Sequence, residues 1–118
     1  MATQENSEMI TEIVTFKLPA GSKREDVFAA FEKTASVWAD NPDLVRKNYL
    51  YDAEAGIAGG VYLWKEKAHA LKWHGQEFLQ KVKQLYGATP TSQFFETPIV
   101  VDNAAGLVTT DYDQSAAA

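Results

Sequence analysis

The sequence predicts an α+β fold in which an antiparallel four-stranded sheet and two helices follow one another in the order β-α-β-β-α-β. Three features carry that prediction. Met9–Leu18, Leu44–Tyr51, Gly59–Trp64 and Thr91–Val101 are rich in β-branched and aromatic residues and suit strands. Between the first and second of these runs, and between the third and fourth, lie stretches whose large apolar residues recur every three or four positions, as on a helix. Glycine and proline punctuate the joins.

In Met9–Leu18, Ile10, Val14 and Phe16 alternate with polar residues, and Pro19 and Gly21 end the strand. Ser22 and Glu25 have capping-box spacing and predict the start of a helix that runs to about Ala39, with Phe28, Phe31, Ala35 and Trp38 on one buried face. Asn41-Pro42 stops it, because a residue before proline is pushed out of the helical region. Leu44–Tyr51 and Gly59–Trp64 are joined by a short turn-rich link and predict an antiparallel hairpin, with Gly56, Gly59 and Gly60 read as its turn and bulge. Lys65 to Tyr86 reads as one helix with Leu71, Phe78, Val82 and Leu85 in a stripe, a weak point at Gly75 and a cap at Gly87. Pro98 inside Thr91–Val101 predicts an edge position or a bulge, since proline cannot donate to a ladder. Residues 1–8 are expected to form a loose arm, residues 9–103 the single domain and residues 104–118 a mobile tail.

Both alternating sets of strand residues hold large apolar groups: Tyr49, Tyr51, Tyr62 and Trp64 on one parity, Leu44, Leu50, Val61 and Leu63 on the other. Two helices cover one sheet face, so the other is expected to meet a second copy of the chain in a homodimer.

Composition narrows the functions available. The chain has 118 residues and no cysteine, which excludes a disulfide framework, a thiolate nucleophile and cysteine-ligated zinc or iron–sulfur clusters. The net charge of -5 lies outside the domain core: Ile10–Val101 carries eleven acids and eleven bases, and the excess is Glu5, Glu8, Asp102, Asp111 and Asp113. A neutral core without a basic face argues against nucleic acid. The first ten residues have no secretory pattern, and no apolar run approaches the roughly 18 residues a membrane helix needs, so a soluble cytoplasmic protein is expected.

Few residues carry chemistry. Trp38, Tyr49, Tyr51, Tyr62 and Trp64 are the set that would line a cavity for a flat aromatic molecule, and the same rings would also serve as ordinary core. His74 lies close to the Phe78 and Val82 stripe and points to the sheet, where an imidazole can act as general base or sit as a boundary histidine bonded to a carbonyl. His69 points away, five residues earlier, so the two do not form a zinc site. Alternation sends Lys47 to the tyrosine face, where it would partner an oxyanion or phenolate, and Arg46 and Asn48 to the other. Surface ion pairing is the alternative role for these residues.

LVRKNYLYDAEAGIAGGVYLW, then KVKQLYGATP and FFETPIVVDN, make the chain resemble the YdhR-type branch of the dimeric α+β barrel superfamily, monooxygenase-like proteins related to antibiotic-biosynthesis monooxygenases. The likeness covers about Met9 to Asn103. It implies a sheet-to-sheet dimer, a cavity between sheet and helices, and oxidation of an aromatic or phenolic small molecule by dioxygen without a metal or organic cofactor. Under that reading His74 is the base, Lys47 stabilises negative charge, and Trp38, Tyr49, Tyr62 and Trp64 hold the ring. Two alternatives remain. One is a non-catalytic dimer binding a small ligand. The other is haem degradation, since haem-degrading relatives pair a strand tryptophan with a helix histidine, as Trp64 and His74 stand here, but also use a first-strand asparagine that Met9–Leu18 lacks.

Overall fold

The structure, a computed structural model, describes residues 8–112, so nearly all of the expected arm and the end of the expected tail lie outside the described residues. In chain order come strand β1 (Ile10–Lys17), helix α1 (Arg24–Ala39), strands β2 (Leu44–Asp52) and β3 (Ile57–Trp64), helices α2 (Lys67–Trp73) and α3 (Gln76–Tyr86) and strand β4 (Thr91–Glu96). A hairpin of β5 (Ile99–Asp102) and β6 (Leu107–Thr110) follows. The first four strands make one antiparallel sheet in the order β2-β3-β1-β4, the ferredoxin-like arrangement that the sequence predicts.

Helices cover one face of this sheet. Phe28 of α1 meets Tyr51 of β2 edge-on at 5.3 Å, Phe31 stacks on Tyr49 at 4.7 Å, and Tyr86 of α3 packs on Phe16 of β1 at 4.4 Å. The core under them is Val14, Tyr62, Trp64 and Ala70, with Trp38, Leu44, Phe78 and Phe94 packed against it. No helix among the described residues is long and apolar enough to cross a membrane.

The structure corrects the sequence reading in several places. Ser22 does not cap α1: its hydroxyl donates to the Pro19 carbonyl, and Lys23 occupies the cap position without a side-chain bond. The predicted helix from Lys65 to Tyr86 is two helices, broken where His74 leaves the helical conformation and Gly75 becomes the extended residue that starts α3. Each piece then chooses its own rotation, so Leu71 and Leu85 are exposed while Ala70 and Val82 are buried. Within α1, Ala35 is exposed and Val27 is the buried residue.

In the hairpin, Gly59 and Gly60 sit in regular ladder positions, and the irregularity falls between Leu44 and Arg46. That shift turns Leu44 to the helix side, beside Trp64, rather than to the face it shares by parity with Leu50. The tight turn itself uses Gly56 at a φ of 66°, a left-handed conformation that favours glycine.

Past β4 the chain breaks at Thr97-Pro98, and the expected tail forms β6, paired with β5 through Ile99↔Thr110 to Asp102↔Leu107. This ribbon lies toward the sheet face that the helices leave open. A cleft of about 290 Å³ there is lined by sheet residues such as Arg46, Asn48, Val61 and Leu63 and by Ile99, Val100 and Val101 of the ribbon. Part of the cover expected from a second copy therefore comes from the chain's own end.

Candidate active site

The site grows from one misplaced acid. Ile10, Glu12, Val14 and Phe16 share a strand parity, so the alternation that buries Ile10 and Val14 also carries Glu12 under the helices, where none of its surface is exposed. Burying a carboxylate costs several kcal/mol unless donors meet it. Two do. Trp64, diagonal to Glu12 on β3 and two residues beyond its register partner Tyr62, donates its indole Nε1–H to Glu12 Oε1 at 2.9 Å, and His74 Nδ1 lies 2.7 Å from the same oxygen.

An indole N–H can only donate, so Oε1 is an acceptor there. We assign the second contact the same way, as Nδ1–H of a neutral imidazole donating to the carboxylate, which leaves Nε2 as the bare nitrogen. Nε2 is buried and has no hydrogen-bond partner among the described residues, and neither has Glu12 Oε2. The break between α2 and α3 makes this geometry possible. His74 is the residue that ends α2, its backbone N–H closing on the Ala70 carbonyl, and its side chain turns down onto β1.

Aromatic rings surround the imidazole. Phe78 stacks on it at 4.0 Å, and Tyr62, Trp64 and Trp38 meet it edge-on at 4.4, 5.4 and 5.5 Å. Tyr62 and Trp64, two apart on β3, lie parallel with ring centres 5.7 Å apart. Burial, then the nearby Glu12 carboxylate and Tyr49, hold the Tyr62 phenol well above its usual value, so it stays a neutral donor.

Lys47 completes the cluster from β2. Its Nζ lies 3.9 Å from the ring centre of Tyr49, 4.5 Å from Tyr62 and 4.7 Å from Trp38. Burial pushes its ammonium down from 10.5 to about 7, while the ring faces attract the charged form. In the unfolded chain Lys47 keeps its proton to higher pH, so between about 7 and 10.5 the unfolded state binds more protons and stability rises with pH. Lys47→Met should therefore be more stable than the parent at pH 6 by about 1–3 kcal/mol, an advantage that shrinks toward pH 10, as urea titrations at several pH values will read.

The sequence-derived residues thus converge: His74, Lys47, Trp38, Tyr62 and Trp64 form one contact network, with Tyr49 at its rim. Tyr49 spends its hydroxyl on Thr34 Oγ1 at 2.6 Å. Glu12 escaped the sequence reading although its signal was there, an acid on the apolar parity of β1, and Phe78 was read only as core. His69 belongs elsewhere. It faces Asp43 at 3.6 Å, and Asp43 also accepts from Trp73 Nε1 at 3.0 Å, the bond that leads in holding the Asp43 carboxyl below its usual value. Arg46 and Asn48 line the cleft on the opposite sheet face, Arg46 in a half-exposed pair with Asp102 at 3.7 Å. Among the described residues no three histidine, aspartate or glutamate side chains gather as a metal site.

Fold and site together define a small α+β protein of ferredoxin-like topology, with a buried imidazole–carboxylate pair under the helices. The cofactor-independent oxygenase SnoaB from Streptomyces nogalater shares this fold at a TM-score of 0.56 and 18% identity, over 77% of this chain and 94% of SnoaB. A candidate antibiotic biosynthesis monooxygenase from Caulobacter crescentus aligns at 0.54 and 14% identity, over 79% of this chain and 92% of its own. A candidate monooxygenase from Shewanella loihica aligns at 0.53 and 21%, over 77% and 95%. No protein-family model matches the chain, and no curated protein matches it.

Proposed function

We propose that this protein is a cofactor-independent monooxygenase of the YdhR-type branch, acting as a homodimer on an aromatic or phenolic small molecule. The observation that carries the reading is the 2.7 Å contact of His74 Nδ1 with the buried Glu12, which leaves Nε2 bare amid aromatic rings. The SnoaB likeness supports the reaction class.

The chemistry follows from those positions. Nε2 takes a proton from an activated C–H of the substrate, and Glu12 offsets the charge of the imidazolium. Lys47, in its charged form, offsets the oxyanion into which the substrate's negative charge delocalises. The electron-rich anion passes one electron to dioxygen, and the radical and superoxide combine through a new C–O bond. The peroxide takes up the proton and loses water as its O–O bond breaks. In sum a CH₂ group and O₂ become a carbonyl and H₂O. The protein's share is to orient the substrate, remove the proton and exclude water.

The test is oxygen uptake by chelator-treated protein with a panel of hydroquinones and anthrone-like phenols. Uptake that survives chelation and yields the carbonyl product is expected. Tight binding of the same compounds with no uptake would instead mark a non-catalytic ligand-binding dimer, and a monomeric mass by light scattering would remove the dimer.

A further inference from the structure

Lys47 is a half-buried amine that the fold has housed without a counter-charge. No carboxylate of the described residues forms an ion pair with it. Its neighbours are the faces of Trp38, Tyr49 and Tyr62, all within 4.7 Å of Nζ. The slot is also shaped from the sheet side by Gly60, the β3 residue that follows Gly59 in the hairpin. A Cβ at Gly60 would stand 3.0 Å from Lys47 Cε and 3.2 Å from the Tyr62 ring, so the missing side chain is what lets the lysine stem lie across the strand. An amine in such surroundings loses part of the water that stabilises its charge, which offsets the pull of the ring faces on the charged form and exposes it as a nucleophile beside three aromatic rings.

We propose that Lys47 is a covalent binding site for small aromatic aldehydes and ketones, which it captures as an imine. The neutral Nζ adds to the carbonyl carbon, forming a C–N bond and a carbinolamine. The oxygen then leaves as water with the two protons of the amine, and the C=N bond closes. The balance is amine plus carbonyl to imine plus water, with no oxidant or reductant required. Trp38, Tyr49 and Tyr62 hold the aryl group. Burial supports the chemistry by lowering the ammonium to about 7, so neutral and charged lysine coexist near neutrality. The site stands independently of the oxygenation reading, since it needs no dioxygen and no base at His74.

The experiment is reductive trapping: the whole protein is mixed with benzaldehyde and cyanoborohydride at pH values from 6 to 10, and each lysine is followed by peptide mass spectrometry. At pH 7, Lys47 is expected to acquire the benzyl adduct at least about tenfold faster than the exposed Lys23 and Lys81, because far more of it is neutral there. Its rate should rise through pH 7 and level off by pH 9, while the surface lysines keep accelerating. In guanidinium the preference should vanish. Labelling of Lys47 no faster than of Lys81 in the folded protein, or a preference that survives unfolding, overturns the proposal. Failure here with intact oxygen uptake would leave the monooxygenase reading standing, and the converse holds as well.

Discussion

His74→Ala is expected to lower turnover by about 10²–10⁴-fold, the usual contribution of a positioned general base. The imidazole combines a bare, buried Nε2 with a fixed orientation amid the aromatic cluster. Nδ1 is held at 2.7 Å by Glu12, and Phe78 stacks on the ring at 4.0 Å. Substrate binding should change less than turnover, because the rings of Trp38, Tyr62 and Trp64 remain. Glu12→Gln separates charge from geometry. The amide oxygen can still accept from both Trp64 Nε1 and His74 Nδ1, so the fold should persist, but the negative charge that stabilises an imidazolium is gone, and a smaller loss of turnover than in His74→Ala is expected. Steady-state oxygen uptake, with circular dichroism as the control for folding, reads both.

The largest effect on stability is expected at a residue that never touches the site. In Gly59→Ala the new Cβ would stand 1.8 Å from the Val14 carbonyl oxygen and 3.0 Å from the Thr15 Cα, both backbone atoms of β1 in the middle of the sheet. Neither can turn aside. A loss above about 4 kcal/mol follows, a large share of the stability of an ordinary domain. Gly60→Ala, one position on, is the informative contrast. Its nearest neighbours are the end of the Lys47 side chain at 3.0 Å, the Tyr62 ring at 3.2 Å and the Asn48 carbonyl oxygen at 3.3 Å; the lysine can yield and the other two need give only slightly, so a loss of about 1–2 kcal/mol is expected together with a displaced lysine. Chemical denaturation of the two variants side by side checks both values.

The fold was legible because its signals are local. Period-two runs in β1, β2 and β3, the proline after α1 and the left-handed Gly87 after α3 each state their element within a few residues. What the sequence hid depends on distant partners. The stop at His74 looks like helix, and it becomes a break because the imidazole finds Glu12, 62 residues away. The flip of Leu44 depends on a register shift against β3, which only pairing defines. The strand β6 is a short apolar segment in a polar setting, and it takes its form from pairing with β5. For the site, the spacing of aromatic residues on β2 and β3 was enough to gather Tyr49, Tyr62, Trp64 and Lys47. Glu12 was readable from its parity, since an acid flanked at i−2 and i+2 by Ile10 and Val14 must be buried if they are.

Anaerobic mixing isolates the proton transfer from the steps that consume oxygen. Wild-type protein and His74→Ala are each mixed with an anthrone-like phenol in the absence of oxygen, and the absorbance of the substrate anion is followed. The anion is expected to accumulate on wild-type protein, not on His74→Ala, and to be consumed when oxygen is admitted. Anion formation of equal rate and extent in both proteins, or in neither, would contradict the role of His74 as base.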